Sequence, residues 1–167
     1  MGKQCICGNR RAFANCCEPY LKGVISGNEL APTAEALMRS RYTAFVIGDA
    51  NYLLATHHAN YRPENTDSLQ STIQSTQWIN LIVLGTQKGQ RKDKTGSVEF
   101  VAAYRSTKAV DRSALSGISQ LHEKSQFVRE GGQWFYTKGV LLSDYQPKKN
   151  QPCWCGSGLK FKRCHGR

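Results

Sequence analysis

The feature that most constrains this chain is a cysteine motif that occurs near both of its ends. The pattern C-x-C-G-x4-F-x2-C-[C/H] starts at Cys5 and again at Cys153, and it ends in Cys17 and His165 respectively. All seven cysteines lie in these two copies, although a free cysteine is an ordinary small core residue. This distribution indicates that the cysteines act as ligands.

Each copy supplies four soft or borderline ligands, which is the number that a closed tetrahedral zinc site takes. Thiolate and imidazole suit zinc better than magnesium or calcium, which prefer oxygen. The glycine after the second cysteine suits a tight turn with positive φ, and the shared Phe13 and Phe161 are expected to cover the site. The sequence therefore predicts two structural zinc ions, held by Cys5, Cys7, Cys16 and Cys17 in an N-terminal knuckle and by Cys153, Cys155, Cys164 and His165 in a C-terminal knuckle.

Two other interpretations of the cysteines stay open from the residues alone. Either cluster could consist of reactive or buried thiols without metal, and the four-cysteine set could hold an iron–sulfur cluster. The adjacent ligands Cys16 and Cys17 can share one ion only if the backbone turns sharply there. Metal is favoured because a unit of about 20 residues buries too little surface to fold alone, whereas structural zinc supplies roughly 10–16 kcal/mol.

The positive charge of the chain is concentrated at the same two ends. The formal net charge is +11, and residues 148–167 contain six lysines and arginines and no acidic residue. Such a surface favours an anionic partner, which could be an acidic protein face, nucleic acid or lipid headgroups. Trp154 lies between two ligands and is expected to point outward. The candidate partner-binding residues are Trp154, Lys160, Lys162 and Arg163.

The C-terminal copy resembles a known zinc-binding motif. Residues 152–165 read PCWCGSGLKFKRCH and are similar to the SEC-C motif, named for the tail of the SecA translocation ATPase. An N-terminal four-cysteine copy, a SEC-C copy and a segment of this length between them resemble the bacterial YchJ family. Residues 36–45, ALMRSRYTAF, are similar to a helix of that family.

This resemblance implies a fold and a type of partner, but no particular activity. It implies a middle domain with the nuclear-transport-factor-2-like cone fold, in which a curved antiparallel sheet wraps around N-terminal helices. The SecA tail has a structural zinc and binds partner proteins and the ribosome, but the SecA ATPase domains have no counterpart here. The expected domains are an N-terminal zinc knuckle over 1–23, an α+β cone-like domain over 24–146 and a C-terminal SEC-C knuckle over 147–167.

The middle of the chain, taken on its residues alone, is predicted to form helices followed by strands. Thr33 is a suitable N-cap for a helix that carries Met38, Tyr42 and Phe45 on one apolar face. Gly48-Asp49 is expected to end that helix and to cap a second short one. Leu69 and Ile73 mark a third, weaker helix. This order of elements indicates an α+β fold.

After the third helix the apolar period changes to two, which indicates strands over 78–84, 97–106, 118–130 and 133–142. Gly131-Gly132 is a strong hairpin signal. The basic segment 88–94 is predicted to be a hairpin loop, 107–117 another loop, and 145–151 a linker to the C-terminal knuckle.

A cone fold usually has a mouth, so the middle domain could bind a small molecule or act as an enzyme. In that alternative, His57 is a general base oriented by a carboxylate and acts on a small hydrophobic substrate. Against it, His57 and His58 follow a helix, where an imidazole can simply bond the last carbonyls. The candidate pocket residues are His57, Tyr61 and Asp49, with His58, Glu99 and His122 as further polar candidates.

The sequence is best interpreted as a small zinc-binding adaptor, with catalysis the less favoured alternative. Its two basic knuckles are expected to bind a protein partner, or the ribosome or another nucleic acid. Apolar runs are only a few residues long, against about 20 needed to span a bilayer. The N-terminal residues carry no apolar signal segment, so a soluble cytoplasmic protein is expected.

Overall fold

A computed structural model describes residues 2–107 and 117–167 of the chain. Within these residues, four α-helices precede a four-stranded antiparallel sheet, which confirms the α+β prediction. Short 3-10 turns lie at Phe13–Asn15, Ala59–Tyr61 and Phe161–Arg163. The longer elements are α1 (Glu18–Ser26), α2 (Ala34–Ile47), α3 (Ala50–Ala55), α4 (Asp67–Ser75), β1 (Thr76–Lys88), β2 (Thr95–Ser106), β3 (Ser119–Glu130) and β4 (Gln133–Leu141).

The helix boundaries follow from local capping chemistry. The Thr33 hydroxyl accepts a hydrogen bond from the amide of Ala36, at 3.1 Å, and so begins α2. Gly48 ends α2 in the left-handed conformation, with φ of 79°. Asp49 then accepts from the amide of Tyr52 and begins α3. These predicted caps are confirmed.

The sheet is built from consecutive antiparallel neighbours in the order β1-β2-β3-β4. Gly131 and Gly132 both have positive φ, as the predicted tight turn between β3 and β4 requires. The predicted bounds of the last three strands agree closely with those in the structure, whereas β1 is longer than the predicted strand over 78–84. Most of the predicted loop at 107–117 lies outside the described residues.

The main core fills the space between the helices and one face of the sheet, here called the inner face. Side chains of α2 pack there against alternate residues of β2, and Trp134 closes one end by donating its indole N–H to the Pro32 carbonyl, at 3.3 Å. The N-terminal knuckle belongs to this same core, because all four of its cysteines are buried with those side chains. Helix α1 continues directly from Cys17 to Ser26, so the domain division predicted at residue 23 falls within it.

The C-terminal knuckle packs on the opposite, outer face of the sheet. Its buried residues Cys153, Trp154, Cys155 and Phe161 form a second cluster with Val101 and Ala103 of β2. The sheet therefore separates the two knuckles.

Both knuckles lie against the same point of β1. A Cβ added to Gly8 would stand 2.9 Å from the Leu81 carbonyl oxygen, and one added to Gly156 would stand 3.0 Å from Cβ of Asn80. An irregularity in pairing between Trp78 and Asn80 places Leu81 opposite Ala102 and Asn80 opposite Ala103. This bulge turns neighbouring side chains toward the two faces that the knuckles cover.

The close approach of the N-terminal knuckle to β1 predicts the effect of substituting Gly8. Gly8→Ala would add the left-handed strain of a residue with φ of 78° and a clash with backbone. Gly27→Ala is the matched control, because Gly27 has φ of 72° and no neighbour within 4 Å of an added Cβ. In urea unfolding, we expect Gly8→Ala to lose about 1–3 kcal/mol more stability than the control. Equal losses would contradict this contact.

Candidate metal centres

The two knuckles share a sharp backbone turn that allows two adjacent residues to bind the same metal ion. In each copy a 3-10 turn carries the shared phenylalanine and ends at the third cysteine. Cys16 has φ of −132° and ψ of −93°, and Cys164 has φ of −132° and ψ of −108°. This turn brings the side chains of Cys16 and Cys17 to one centre, and those of Cys164 and His165 to the other.

The N-terminal donor atoms have the spacing of a tetrahedral site. The four sulfurs of Cys5, Cys7, Cys16 and Cys17 all lie within 4.8 Å of one another. The Sγ atoms of Cys7 and Cys16 are 3.5 Å apart, and those of Cys16 and Cys17 are 4.0 Å apart. Zinc–sulfur bonds of about 2.3 Å place tetrahedral sulfurs ~3.8 Å apart, so this set fits a four-coordinate ion.

The C-terminal donors fit the same geometry with one nitrogen. Nδ1 of His165 lies 3.3 Å from the sulfurs of Cys153 and Cys164, and the sulfurs of Cys155 and Cys164 are 3.6 Å apart. All four donor atoms lie within 4.8 Å of one another. Two cysteine-rich clusters in this chain are therefore able to hold metal ions.

The thiols of the N-terminal cluster affect one another's ionisation in opposite directions, so that one ionises easily and its neighbour does not. Contacts with neighbouring thiols, Cys17 first, lower the pKa of Cys7 to about 5. Burial, together with the nearby Cys7, raises the pKa of Cys16 to about 11. A divalent cation would remove this conflict, because it binds each thiol as thiolate.

Each knuckle is held to the middle domain by a side-chain hydrogen bond to its backbone. Nη1 of Arg39 donates to the Cys7 carbonyl, at 2.7 Å, and the same side chain pairs with Glu35. Nδ2 of Asn80 donates to the Trp154 carbonyl, at 3.0 Å. Such outer contacts fix the loops that carry the ligands.

The outward orientation predicted for Trp154 is wrong. The side chain is 5% exposed, because it packs on the outer face of the sheet with Val101 and Ala103. Its ring also lies 4.3 Å from the His165 ring, centroid to centroid. The prediction failed because Trp154 packs against a strand that lies some 50 residues earlier in the sequence. The spacing of residues within the motif does not reveal such a contact. Phe161 is buried, as predicted for a cover of the site.

The predicted basic residues of the C-terminal knuckle are on the surface. Lys160, Lys162 and Arg163 are exposed, and in the described part of the chain none of them forms an ion pair. Leu159, directly before them, is 51% exposed. These four residues are called the basic surface below.

The predicted pocket residues do not come together. His57 lines a cavity of about 340 Å³, but neither Tyr61 nor Asp49 does. Asp49 is instead the cap of α3, and Tyr61 is half exposed. Of the further candidates, His58 pairs with Glu130, and His122 pairs with Glu99.

The contacts of His57 do not form the expected catalytic pair. Its Nε2 lies 3.2 Å from the Thr137 carbonyl oxygen, which fixes the ring by a backbone contact. Burial, and then the charge of Arg41, lower its pKa. The sequence interpretation missed two charged residues that do line the cavity, Arg41 and Glu123. Neither stands in a motif, and their inward orientation is set by the tertiary fold.

The family of the chain follows from these features and from comparison with known proteins. Residues 33–139 match the model described as YchJ, middle NTF2-like domain, and residues 150–167 match the SEC-C motif. The chain belongs to the YchJ family, which confirms the resemblance noted from the cysteine motifs. Similar proteins include a UPF0225 protein from Shewanella sp. strain MR-4, 38% identical over 97% of this chain and 95% of that one. Another, from Photorhabdus laumondii, is 40% identical over 99% of this chain and all of that one.

Two solved structures share the fold. The solution structure of RPA3114, a SEC-C motif containing protein from Rhodopseudomonas palustris, has a TM-score of 0.68 and 28% identity, covering 84% of this chain and 99% of that one. The crystal structure of a SEC-C motif containing protein from Psychrobacter arcticus has a TM-score of 0.66 and 27% identity, covering 98% of this chain and 96% of that one. Among the described residues, none of the helices combines the length and apolar character required to cross a membrane.

The different surroundings of the two clusters predict different effects of losing a ligand. We expect Cys155→Ser to bind one metal fewer per chain and to unfold the C-terminal knuckle, while the middle domain stays folded. Cys7→Ser should also lose one metal, but it should lower the melting temperature of the whole domain because Cys7 is fully buried in the main core. Elemental analysis and thermal unfolding measure both effects. Global unfolding of Cys155→Ser would contradict this division.

Proposed function

We propose that this protein is a zinc-binding adaptor whose C-terminal knuckle binds an acidic protein partner. One cluster offers four sulfur donors and the other offers three sulfurs and one nitrogen, and both sets suit zinc among the common divalent ions. Each set already fills a tetrahedron with protein ligands, as in structural sites, whereas catalytic zinc keeps an open position. The zinc ions therefore support folding, and the interaction is made by the surface that they hold in shape.

The observation that carries this proposal is the basic surface itself. Lys160, Lys162 and Arg163 are exposed and follow the exposed side chain of Leu159 within four residues of sequence. An apolar side chain within a charged rim is the arrangement of a small protein interface. The charges would steer an acidic partner, and Leu159 would enter an apolar pocket on it.

The same geometry favours a protein over nucleic acid. Single-stranded nucleic acid is usually held by aromatic side chains that stack on bases together with cations that bind phosphates. Both aromatic residues of this knuckle, Trp154 and Phe161, are buried. Ribosomal or other RNA could therefore be held only through its phosphates, and Leu159 would have no role.

The expected site of action is the cytoplasm. Seven cysteines that serve as thiolate ligands require a reducing compartment, where disulfides are rare.

Reversal of the three charges tests the basic surface. We expect Lys160→Glu, Lys162→Glu and Arg163→Glu together to weaken capture of the partner from a bacterial lysate at least about tenfold, because attraction becomes repulsion. The matched control reverses Arg91, Lys92 and Lys94 of the exposed β1–β2 loop, which makes the same change in net charge elsewhere. Both proteins should keep two zinc ions per chain.

Two further measurements distinguish a protein partner from RNA. Capture of a protein should survive ribonuclease treatment, and Leu159→Ser should weaken it several-fold. Capture that is lost with ribonuclease and is unaffected by Leu159→Ser would replace the protein partner with RNA. Equal capture by the two charge-reversed proteins would exclude the basic surface.

A further inference from the structure

A cavity of about 340 Å³ lies between α2, α4 and the inner face of the sheet. This volume is within the range of small-molecule sites, roughly 300–1,000 Å³. It is separate from both metal centres and from the basic surface. Its walls are mostly apolar and include Met38, Tyr42, Phe45, Leu69, Trp78 and Phe100.

The polar side chains of the cavity gather around Tyr136. The Arg41 guanidinium carbon lies 4.7 Å from the Tyr136 ring centroid, and the rings of His57 and Tyr136 are 5.0 Å apart. On the adjacent strand, the Ser125 hydroxyl donates to the carboxyl group of Glu123. The cavity therefore has one polar end and an otherwise apolar wall.

Arg41 is a buried cation at this polar end. Its side chain is 9% exposed, and its hydrogen bonds to the described residues, to the Leu53 carbonyl and the Thr56 hydroxyl, both use Nη1 at 2.7 Å. No carboxylate in residues 2–107 or 117–167 lies within 4.0 Å of it. Burial lowers its pKa to about 10, so it remains charged at neutral pH. Glu123 acts on Arg41 through its charge without forming an ion pair with it. A buried cation that no carboxylate contacts is costly, which favours an anionic ligand.

Other groups of the cavity also favour a ligand that accepts hydrogen bonds. Burial raises the pKa of Glu123, which weakens the negative charge that would otherwise repel an anionic ligand. The indole N–H of Trp78 is a buried donor without a partner in the described residues. The indole N–H therefore adds one donor for a ligand that accepts hydrogen bonds.

We propose that this cavity binds a small monocarboxylate with an apolar tail, its carboxylate paired with Arg41 and its tail against Phe45, Leu69 and Trp78. The guanidinium can meet a carboxylate through two parallel N–H bonds. The volume corresponds to about eleven water molecules at ~30 Å³ each. A chain of about eight carbons fits this space.

The ligand class is tested by three probes that share one tail. Isothermal titration of the zinc-loaded full chain with octanoate, octanol and octylamine compares head groups directly. We expect octanoate to bind with a stoichiometry of one and at least tenfold more tightly than octanol. Equal affinity for octanol, tighter binding of octylamine, or no saturable octanoate binding would each overturn the proposal.

Removing the cation tests the role of Arg41. Arg41→Gln should lower octanoate affinity at least tenfold and leave octanol affinity unchanged. Lys138→Gln is the matched control, because it removes one exposed positive charge outside the cavity. Octanoate affinity that falls equally in both variants would mean a nonspecific effect of net charge and would overturn the assignment.

A second pair of variants is needed because Arg41 also binds the end of α3 and its substitution could impair folding. Leu69→Trp would fill part of the cavity from α4, and Gln70→Trp adds the same ring at the next, exposed position outside it. We expect Leu69→Trp to abolish octanoate binding with normal circular dichroism and zinc content, and Gln70→Trp to bind normally. Unchanged octanoate binding by Leu69→Trp would exclude this cavity as the site.

Discussion

The contact of both knuckles with strand β1 is the constraint on which the rest of the structure depends. Gly8 of one knuckle lies against the Leu81 carbonyl, and Gly156 of the other lies against Asn80, on the opposite face of the sheet. Because β1 is an edge strand, it has a pairing neighbour on one side only. The two knuckles cover this edge region on opposite faces of the sheet, so metal ions held at the chain ends would stabilise the sheet in the middle.

Helix α2 connects the N-terminal metal centre to the cavity. Arg39 donates to the carbonyl of the ligand residue Cys7, while Arg41, two residues later, lies at the polar end of the cavity. The basic surface stands apart, on the far side of the sheet with the C-terminal knuckle. The fold thus keeps three kinds of functional group in separate places. These are the soft metal ligands, the buried cation of the cavity and the exposed cations of the basic surface.

The sequence was most informative where the governing interactions are local. Ligand spacing, the caps at Thr33 and Asp49, and the turn at Gly131 all depend on residues within a few positions, and each was predictable. The burial of Trp154 was not, because it depends on packing against β2 from the other end of the chain. The bulge between Trp78 and Asn80 and the inward turn of Arg41 likewise arise from tertiary packing. Simple alternation would have placed Trp78 and Asn80 on one face.

Amide hydrogen exchange of the wild-type protein, with its metals bound and after their removal by a chelator, tests the central coupling most directly. If both knuckles stabilise β1, metal removal should raise exchange in residues 76–88 far more than in the β3–β4 hairpin, which neither Gly8 nor Gly156 contacts. Elemental analysis of the same samples would give the number of metal ions lost. Unchanged protection of β1 after complete loss of metal would contradict the account.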